Sequence, residues 1–97
     1  MKVRFTRRAT QDLVDIADTI HEHNPAAALR VRGAILESLR QLADFPEAGR
    51  RQSVEGVRKL VTRRYRYVVY YSIDAAADEI AVLTIRHPAR DREHDDA

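Results

Sequence analysis

A cluster of basic and aromatic side chains is the part of this sequence whose residue types could do chemistry. Arginines can bind a phosphate, tyrosines can stack on a base, and a histidine can move a proton near neutral pH. A metal-free ribonuclease needs such a set: a base for the 2′-hydroxyl, an acid for the leaving oxygen and cations for the crowded phosphate. The cluster comprises Arg58, Arg63, Arg64, Tyr65, Arg66, Arg86, His87 and Arg90.

The same residues also fit a structural interpretation, in which the arginines hold an acidic partner and His87 merely closes a strand. The charge distribution is compatible with both interpretations. Bases dominate from Arg50 to Arg66, including Lys59, and Glu55 is the one acid of that segment. This asymmetry indicates an anionic partner, either a phosphate backbone or an acidic protein segment, although a solvated basic rim without a partner is an equal alternative from charge alone.

Metal and cofactor sites find little support in the sequence. There is no cysteine, which excludes disulfides and thiolate ligands and fits a reducing cytosol. His21 and His23 would lie two residues apart on a helix, so their side chains would diverge by roughly 200°. The chain has three glycines and no phosphate-binding glycine loop. We therefore expect neither a metal nor a cofactor.

Length and hydropathy predict one cytoplasmic domain over residues 1–97. A chain of 97 residues can bury something over ~60% of the surface that it exposes when unfolded. No apolar stretch reaches the ~18 residues of a membrane span, and the N-terminus has no signal-peptide pattern. Residues 91–97 contain no apolar side chain larger than alanine, which predicts a disordered tail.

Four strands are expected to position the basic cluster. The run of β-branched and aromatic residues over 61–73 predicts an interior third strand from Tyr65 to Ile73, because both of its faces carry apolar bulk. Alternation predicts a first strand around Val3 and Phe5, a second over 57–61 and a fourth over 79–86, the last with residues 80, 82 and 84 on one face and 81, 83 and 85 on the other.

The loop at residues 74–78 would join the third and fourth strands into a hairpin. In an antiparallel pair, the start of one strand lies beside the end of the other. We therefore expect residues 63–66 to lie near residues 86–90.

Two helices account for the N-terminal half. Thr6 is a suitable N-cap for the first helix, in which apolar residues recur with helical spacing. Its acids, Asp12 among them, are predicted to form a solvated face. Asn24 and Pro25 predict a second helix that runs to about Asp44, and the short link predicts an antiparallel hairpin. The expected fold class is therefore α+β, with the two-helix hairpin packed on the sheet.

The order of these elements and several short motifs resemble the RelE/ParE superfamily of toxins from bacterial type II toxin–antitoxin systems. The resemblance covers nearly the whole chain and implies a fold of two N-terminal helices packed on a small, mostly antiparallel sheet. It is carried by Asp12-Leu13 and Ile16, Asn24-Pro25-Ala26-Ala27, Phe45-Pro46 with Gly49-Arg50, Gly56-Val57-Arg58-Lys59-Leu60, Tyr67-Val68-Val69-Tyr70-Tyr71 and Ile85-Arg86-His87-Pro88-Ala89-Arg90.

The resemblance implies one of two activities. ParE-like members act on DNA gyrase, whereas RelE-like members cut mRNA on the ribosome. The Asn-Pro hairpin, the Phe-Pro-x-x-Gly-Arg turn and the His-x-x-Arg ending are closer to the ParE side, and no tyrosine or phenylalanine follows Tyr71. If the chain is RelE-like, the expected catalytic residues are Arg66, Arg86, His87 and Arg90. The expected target- or phosphate-binding residues are Arg58, Lys59, Arg63, Arg64 and Tyr65.

The resemblance also implies a partner, a cognate antitoxin that wraps the toxin and neutralises it. We expect a small acidic protein whose C-terminal segment covers the groove of the helical hairpin and part of the sheet. A third possibility is a degenerate member of the superfamily that retains only antitoxin binding.

Overall fold

The computed structural model describes residues 1–91, in which a helical hairpin packs on one five-stranded sheet. The strand order is β1-β5-β4-β3-β2, with β1 parallel to β5 and the other neighbours antiparallel. This confirms the predicted α+β class. The elements are β1 (Lys2–Phe5), α1 (Arg7–His21), α2 (Pro25–Asp44), β2 (Arg50–Arg51), β3 (Val57–Val61), β4 (Val68–Asp74), β5 (Glu79–Arg86) and α3 (Pro88–Asp91).

Both long helices begin at the caps that the sequence indicates. The Thr6 hydroxyl accepts a hydrogen bond from the Ala9 backbone N–H at 3.1 Å. The Asn24 side-chain oxygen accepts one from the Ala27 N–H at 3.1 Å, and Pro25 follows at the first helical position. Each cap satisfies a backbone donor that has no partner inside the helix. The predicted bounds of the second helix are confirmed.

The core lies between the hairpin and one face of the sheet. Helix α2 contributes a fully buried stripe that includes Ile35 and Leu39, and β4 contributes Val69 and Tyr71. Since side chains alternate along a strand, the neighbours of Val69 and Tyr71 in β4 project to the opposite face. We call this second face, which the core does not include, the open face; β4 presents Val68, Tyr70 and Ser72 there.

The prediction that the third strand begins at Tyr65 is wrong, because β4 begins at Val68. The chain turns back between Thr62 and Tyr67, where the Thr62 N–H donates to the Tyr67 carbonyl at 2.9 Å. Tyr65 and Arg66 have φ angles of 66° and 54°, in the left-handed region that no strand uses. Local turn formation therefore overrides the β propensity of these residues.

The predicted two-face alternation of the fourth strand also fails, at its C-terminal end. Tyr70 pairs with Thr84 but Tyr71 pairs with Val82, so Leu83 is an extra residue in β5. Such a bulge changes the face on which the following side chains lie. Ile85 consequently joins Ile80 and Val82 in the core.

No helix within residues 1–91 has the length and hydropathy required to cross a bilayer. The expected disordered tail over residues 91–97 lies, apart from Asp91, outside the described residues.

Candidate target-binding surface

The register of the sheet brings the two halves of the basic cluster to one end of the molecule. Val68, the first residue of β4, pairs with Arg86, the last residue of β5. The predicted adjacency of these strand ends is therefore confirmed. The roles of the side chains there stay predictions, and the structure distributes those side chains over a turn, the open face and a groove.

The turn between β3 and β4 presents the first group, which we call the arginine turn (residues 63–66). All four of its residues are exposed, and the Arg64 guanidinium carbon lies 5.7 Å from the centre of the Tyr65 ring. Thr62 fixes the backbone of the turn. Its buried hydroxyl donates to the Arg64 carbonyl at 2.7 Å and accepts a hydrogen bond from the Tyr67 N–H at 3.0 Å.

The open face holds the second group. The Arg86 guanidinium carbon lies 5.8 Å from the centre of the Tyr70 ring, which is within the range of a cation–π contact. Lys59 is the β3 partner of Tyr70 and therefore lies on the same face. The Nε of Arg86 is buried and has no hydrogen-bond partner among residues 1–91. An anionic ligand on the open face could supply the acceptor that this donor lacks.

His87 lies on the helix side of the sheet. Its ring meets the Tyr67 ring edge to face, with the ring centres 5.5 Å apart and the planes at 86°. The His87 Nδ1 accepts a hydrogen bond from the Ala89 N–H at 3.1 Å, which caps the short helix α3. In the neutral imidazole the proton therefore sits on Nε2, the nitrogen left for a ligand or target.

Tyr67, His87 and Arg90 line a groove of about 620 Å³ between α1 and the end of β5, which we call the α1 groove. Burial raises the pKa of the Tyr67 hydroxyl above its usual value, so the phenol is neutral near pH 7. The groove combines an apolar floor with charged walls of both signs. The remaining lining residues are Arg8, Asp12, Asp15, Ile16, Thr19, Ile20, Thr84, Ile85 and Arg86.

Asp12 is a structural part of this groove that the sequence did not reveal. Its Oδ2 accepts hydrogen bonds from the Thr84 hydroxyl at 2.6 Å and the Ile85 N–H at 3.0 Å, and its Oδ1 lies 3.5 Å from Arg8 Nε. β1 ends at Phe5, which pairs with Val82, so β1 offers no acceptor to the Ile85 N–H of β5. The Asp12 carboxylate is the acceptor instead. The prediction that Asp12 belongs to a solvated face is wrong. The sequence carried no local signal for these bonds, because their donors lie 72 and 73 residues along the chain.

Arg58, a predicted target-binding residue, is engaged in the fold. Its guanidinium donates to the carbonyls of Gly49 at 2.8 Å and Glu47 at 3.3 Å. It pairs with Tyr71 in the register of β3 and β4, which places it on the core face and away from Lys59. Arg58 therefore fixes the loop that precedes β2.

Arg86, His87 and Arg90 all line the α1 groove, but the Arg86 guanidinium and the His87 ring contact different aromatic rings. Arg86 projects to the open face with Tyr70, whereas the adjacent His87 contacts Tyr67 on the helix side. Within residues 1–91 there is also no group of three or more histidines and acids that could hold a metal ion. The cations and rings are well placed to bind an anionic or aromatic target at one end of the molecule.

Comparison with known proteins decides the family. The model of the family described as "ParE toxin of type II toxin-antitoxin system, parDE" matches residues 3–92. The chain belongs to this ParE toxin family. It is thus a toxin of a type II toxin–antitoxin system.

The relatives of this ParE-family toxin include proteins named after RelE and proteins named after ParE. The toxin RelE2 of Caulobacter vibrioides is 34% identical over 89 residues, which are 92% of this chain and 97% of that protein. A chain of the chromosomal ParDE TA system from P. aeruginosa superposes with a TM-score of 0.78 at 30% identity, covering 90% of this chain and 95% of that chain. For the toxin–antitoxin complex RelBE2 from Mycobacterium tuberculosis, the TM-score is 0.63 at 28% identity, with 89% and 95% covered.

Proposed function

We propose that this ParE-family toxin inhibits DNA gyrase and is held inactive by a cognate antitoxin. The observation that carries the choice of a binding function over cleavage is that the Arg86 guanidinium and the His87 ring contact different aromatic rings, although both residues line the α1 groove. General acid–base cleavage needs an acid, a base and cations converging on one phosphate. Here Arg86 lies over Tyr70 on the open face, and His87 lies against Tyr67 on the other side of the sheet.

The hydrogen bond made by His87 also supports a binding function over cleavage. The His87 Nδ1 is occupied by the N–H of Ala89. The neutral ring carries its proton on Nε2, so Nδ1 is the nitrogen that would have to take up a proton from a substrate, and doing so would break the bond that caps α3. A residue that anchors a strand end and a helix start is well suited to shaping a contact surface.

The second candidate is a ribosome-dependent endoribonuclease, and the unpartnered Nε of Arg86 favours it. On the open face, Arg86 and Lys59 are two cations next to the Tyr70 ring. A phosphate of mRNA there would accept a hydrogen bond from Arg86. Cleavage would then have to use groups of the open face, with Arg66 approaching from the turn.

The antitoxin is proposed to be a small acidic protein whose C-terminal segment covers the helical hairpin and part of the sheet. Two relatives of known structure were solved as parts of toxin–antitoxin systems. Large apolar side chains remain uncovered on both helices, with Val14 45% and Leu29 72% exposed. Burial of such side chains would contribute about 25 cal/mol for each Å² that is removed from water.

The experiment that tests the target expresses the chain without an antitoxin and follows DNA and mRNA separately. We expect gyrase-linked DNA breaks and induction of the SOS response while mRNA remains intact. Cleavage inside translated codons, with intact DNA, would replace the proposal by the nuclease. Two variants add detail. If mRNA cleavage does occur, Arg86→Gln should abolish it. Leu29→Ser should weaken antitoxin binding and leave toxicity in place under either activity.

A further inference from the structure

The arginine turn concentrates positive charge at one end of the sheet. Arg86 lies at the same end, because the end of β5 pairs with the start of β4. At the opposite end the charges are mixed, since Glu79 pairs with Arg4 at 2.9 Å and the Lys2 N–H donates to the Asp78 carbonyl. An anion that approaches the molecule is therefore attracted to the arginine turn.

The backbone of the arginine turn is conformationally costly. Tyr65 and Arg66 both have left-handed φ angles, 66° and 54°, where glycine or asparagine is preferred. A residue with a Cβ is strained in this region. Stability alone would favour glycine or asparagine at these two positions, yet the tip of the hairpin carries Tyr65 and Arg66.

The arginine side chains of this turn are accessible to a ligand. Arg63, Arg64 and Arg66 make no hydrogen bond or ion pair to another side chain of the described structure, and all three are exposed. The Thr62 hydroxyl fixes the backbone on which they stand, through its bonds to Arg64 and Tyr67. Arginine forks match the geometry of phosphate oxygens.

We propose that the arginine turn binds the phosphate backbone of a nucleic-acid duplex. The tip is a narrow two-stranded turn, a shape that the major groove of B-DNA admits. Single strands are instead bound on exposed aromatic faces, and here Arg64 already lies over the Tyr65 ring. The contact goes beyond the proposed function, because it depends on the toxin and the duplex without gyrase.

The test measures fluorescence anisotropy of a labelled duplex DNA with the purified full chain over a salt series. The triple variant Arg63→Gln, Arg64→Gln, Arg66→Gln should bind more weakly, and the slope of log K against log salt should fall by about 2 to 3. The matched control replaces Lys2, Arg30 and Arg32, which are exposed cations outside the turn, by glutamine. It removes the same charge and should leave the slope nearly unchanged.

A second variant separates binding from folding. Tyr65→Asn with Arg66→Gly suits the left-handed backbone, so the urea midpoint of unfolding should rise while duplex affinity falls. Unchanged affinity in this variant would overturn the proposal.

Further titrations with other labelled polymers identify the ligand. Titration with a duplex RNA shows whether the arginine turn distinguishes RNA from DNA duplexes, and binding to either duplex supports the proposal. Equal losses in the arginine-turn triple and the control triple would overturn it, as would binding to single strands or polyglutamate alone. Because gyrase is absent from every arm, failure here leaves the gyrase proposal to its own experiment.

Discussion

The hydroxyl of Tyr71 accepts a hydrogen bond from the backbone N–H of Gly49 at 2.8 Å, inside the protein. The same hydroxyl donates to the carbonyl of Pro46 at 2.7 Å. Tyr71 thus connects the centre of the sheet with the Phe-Pro-x-x-Gly-Arg turn. This turn leads into β2, and Arg58 binds it from the other side through the carbonyls of Glu47 and Gly49.

Removing the Tyr71 hydroxyl should destabilise the protein. In Tyr71→Phe the buried Gly49 N–H loses its acceptor and the Pro46 carbonyl loses its donor, and an unsatisfied buried group costs about 1–3 kcal/mol. Urea denaturation measures the free energy of unfolding. Tyr65→Phe is the control, because Tyr65 is exposed and its change should stay within about 0.5 kcal/mol. Equal effects in the two variants would contradict the role of Tyr71.

Any side chain at position 49 should be poorly tolerated. A Cβ on Gly49 would lie 2.7 Å from both Cε1 and the hydroxyl oxygen of Tyr71, and 2.9 Å from the Lys59 carbonyl oxygen. We expect Gly49→Ala to cost about 1–3 kcal/mol of unfolding free energy, as overpacking typically does. Gly33 is the matched control, since a Cβ there meets no atom within 4 Å. Gly33→Ala in helix α2 should be neutral or stabilising by about 0.5–1 kcal/mol; a loss as large as that of Gly49→Ala would refute the clash.

Stability should fall at high pH because of two buried tyrosines. Burial raises the pKa of Tyr67 and of Tyr71 above the ordinary tyrosine value of about 10. A raised pKa in the folded state means that the unfolded chain loses its protons first. The contribution is therefore complete below about pH 10 and is lost as pH rises through the folded-state pKa. Unfolding free energy measured between pH 8 and pH 11 should decline less steeply in Tyr71→Phe than in the parent; parallel curves would argue against this origin.

Asp12 should matter for the end of β5 more than its neighbours on α1 do. Asp12→Ala leaves the Thr84 hydroxyl and the Ile85 N–H without their acceptor, which we expect to cost about 1–3 kcal/mol. Hydrogen exchange at the Ile85 amide should accelerate in the same variant. Asp15→Ala provides the comparison, because Asp15 is exposed and accepts one bond from Gln11. Similar exchange rates at Ile85 in both variants would rule out the strand-edge role.

His87 and Arg90 are expected to affect toxicity more than antitoxin binding. His87→Ala removes the ring that packs on Tyr67 and the cap of α3, and Arg90→Ala removes a cation from the α1 groove. Each should reduce growth inhibition by roughly tenfold, the effect of about 1.4 kcal/mol in target affinity. Co-purification measures antitoxin binding, which should persist. Undiminished toxicity in both variants would remove the two residues from the site.

The sequence by itself determined the helical hairpin and the fold class. Thr6 and Asn24 mark where the helices begin, because a capping side chain bonds to a backbone N–H three residues later and needs no tertiary partner. The pairing of the two strand ends followed from the short Asp74–Asp78 connection, since a hairpin loop fixes an antiparallel register. The motifs along the chain were sufficient to predict the toxin superfamily.

Only the tertiary structure decided how the basic cluster is divided. The start of β4 depends on the Thr62 hydroxyl bonding back across the turn, and the bulge at Leu83 depends on how β5 meets both neighbours. Asp12 bonds to residues 72 and 73 positions away, and Arg58 bonds to backbone carbonyls of the preceding loop, so composition alone could not assign either partner. Residue types are local properties, whereas the face on which a side chain lies depends on register, and register is set by pairing with the rest of the sheet.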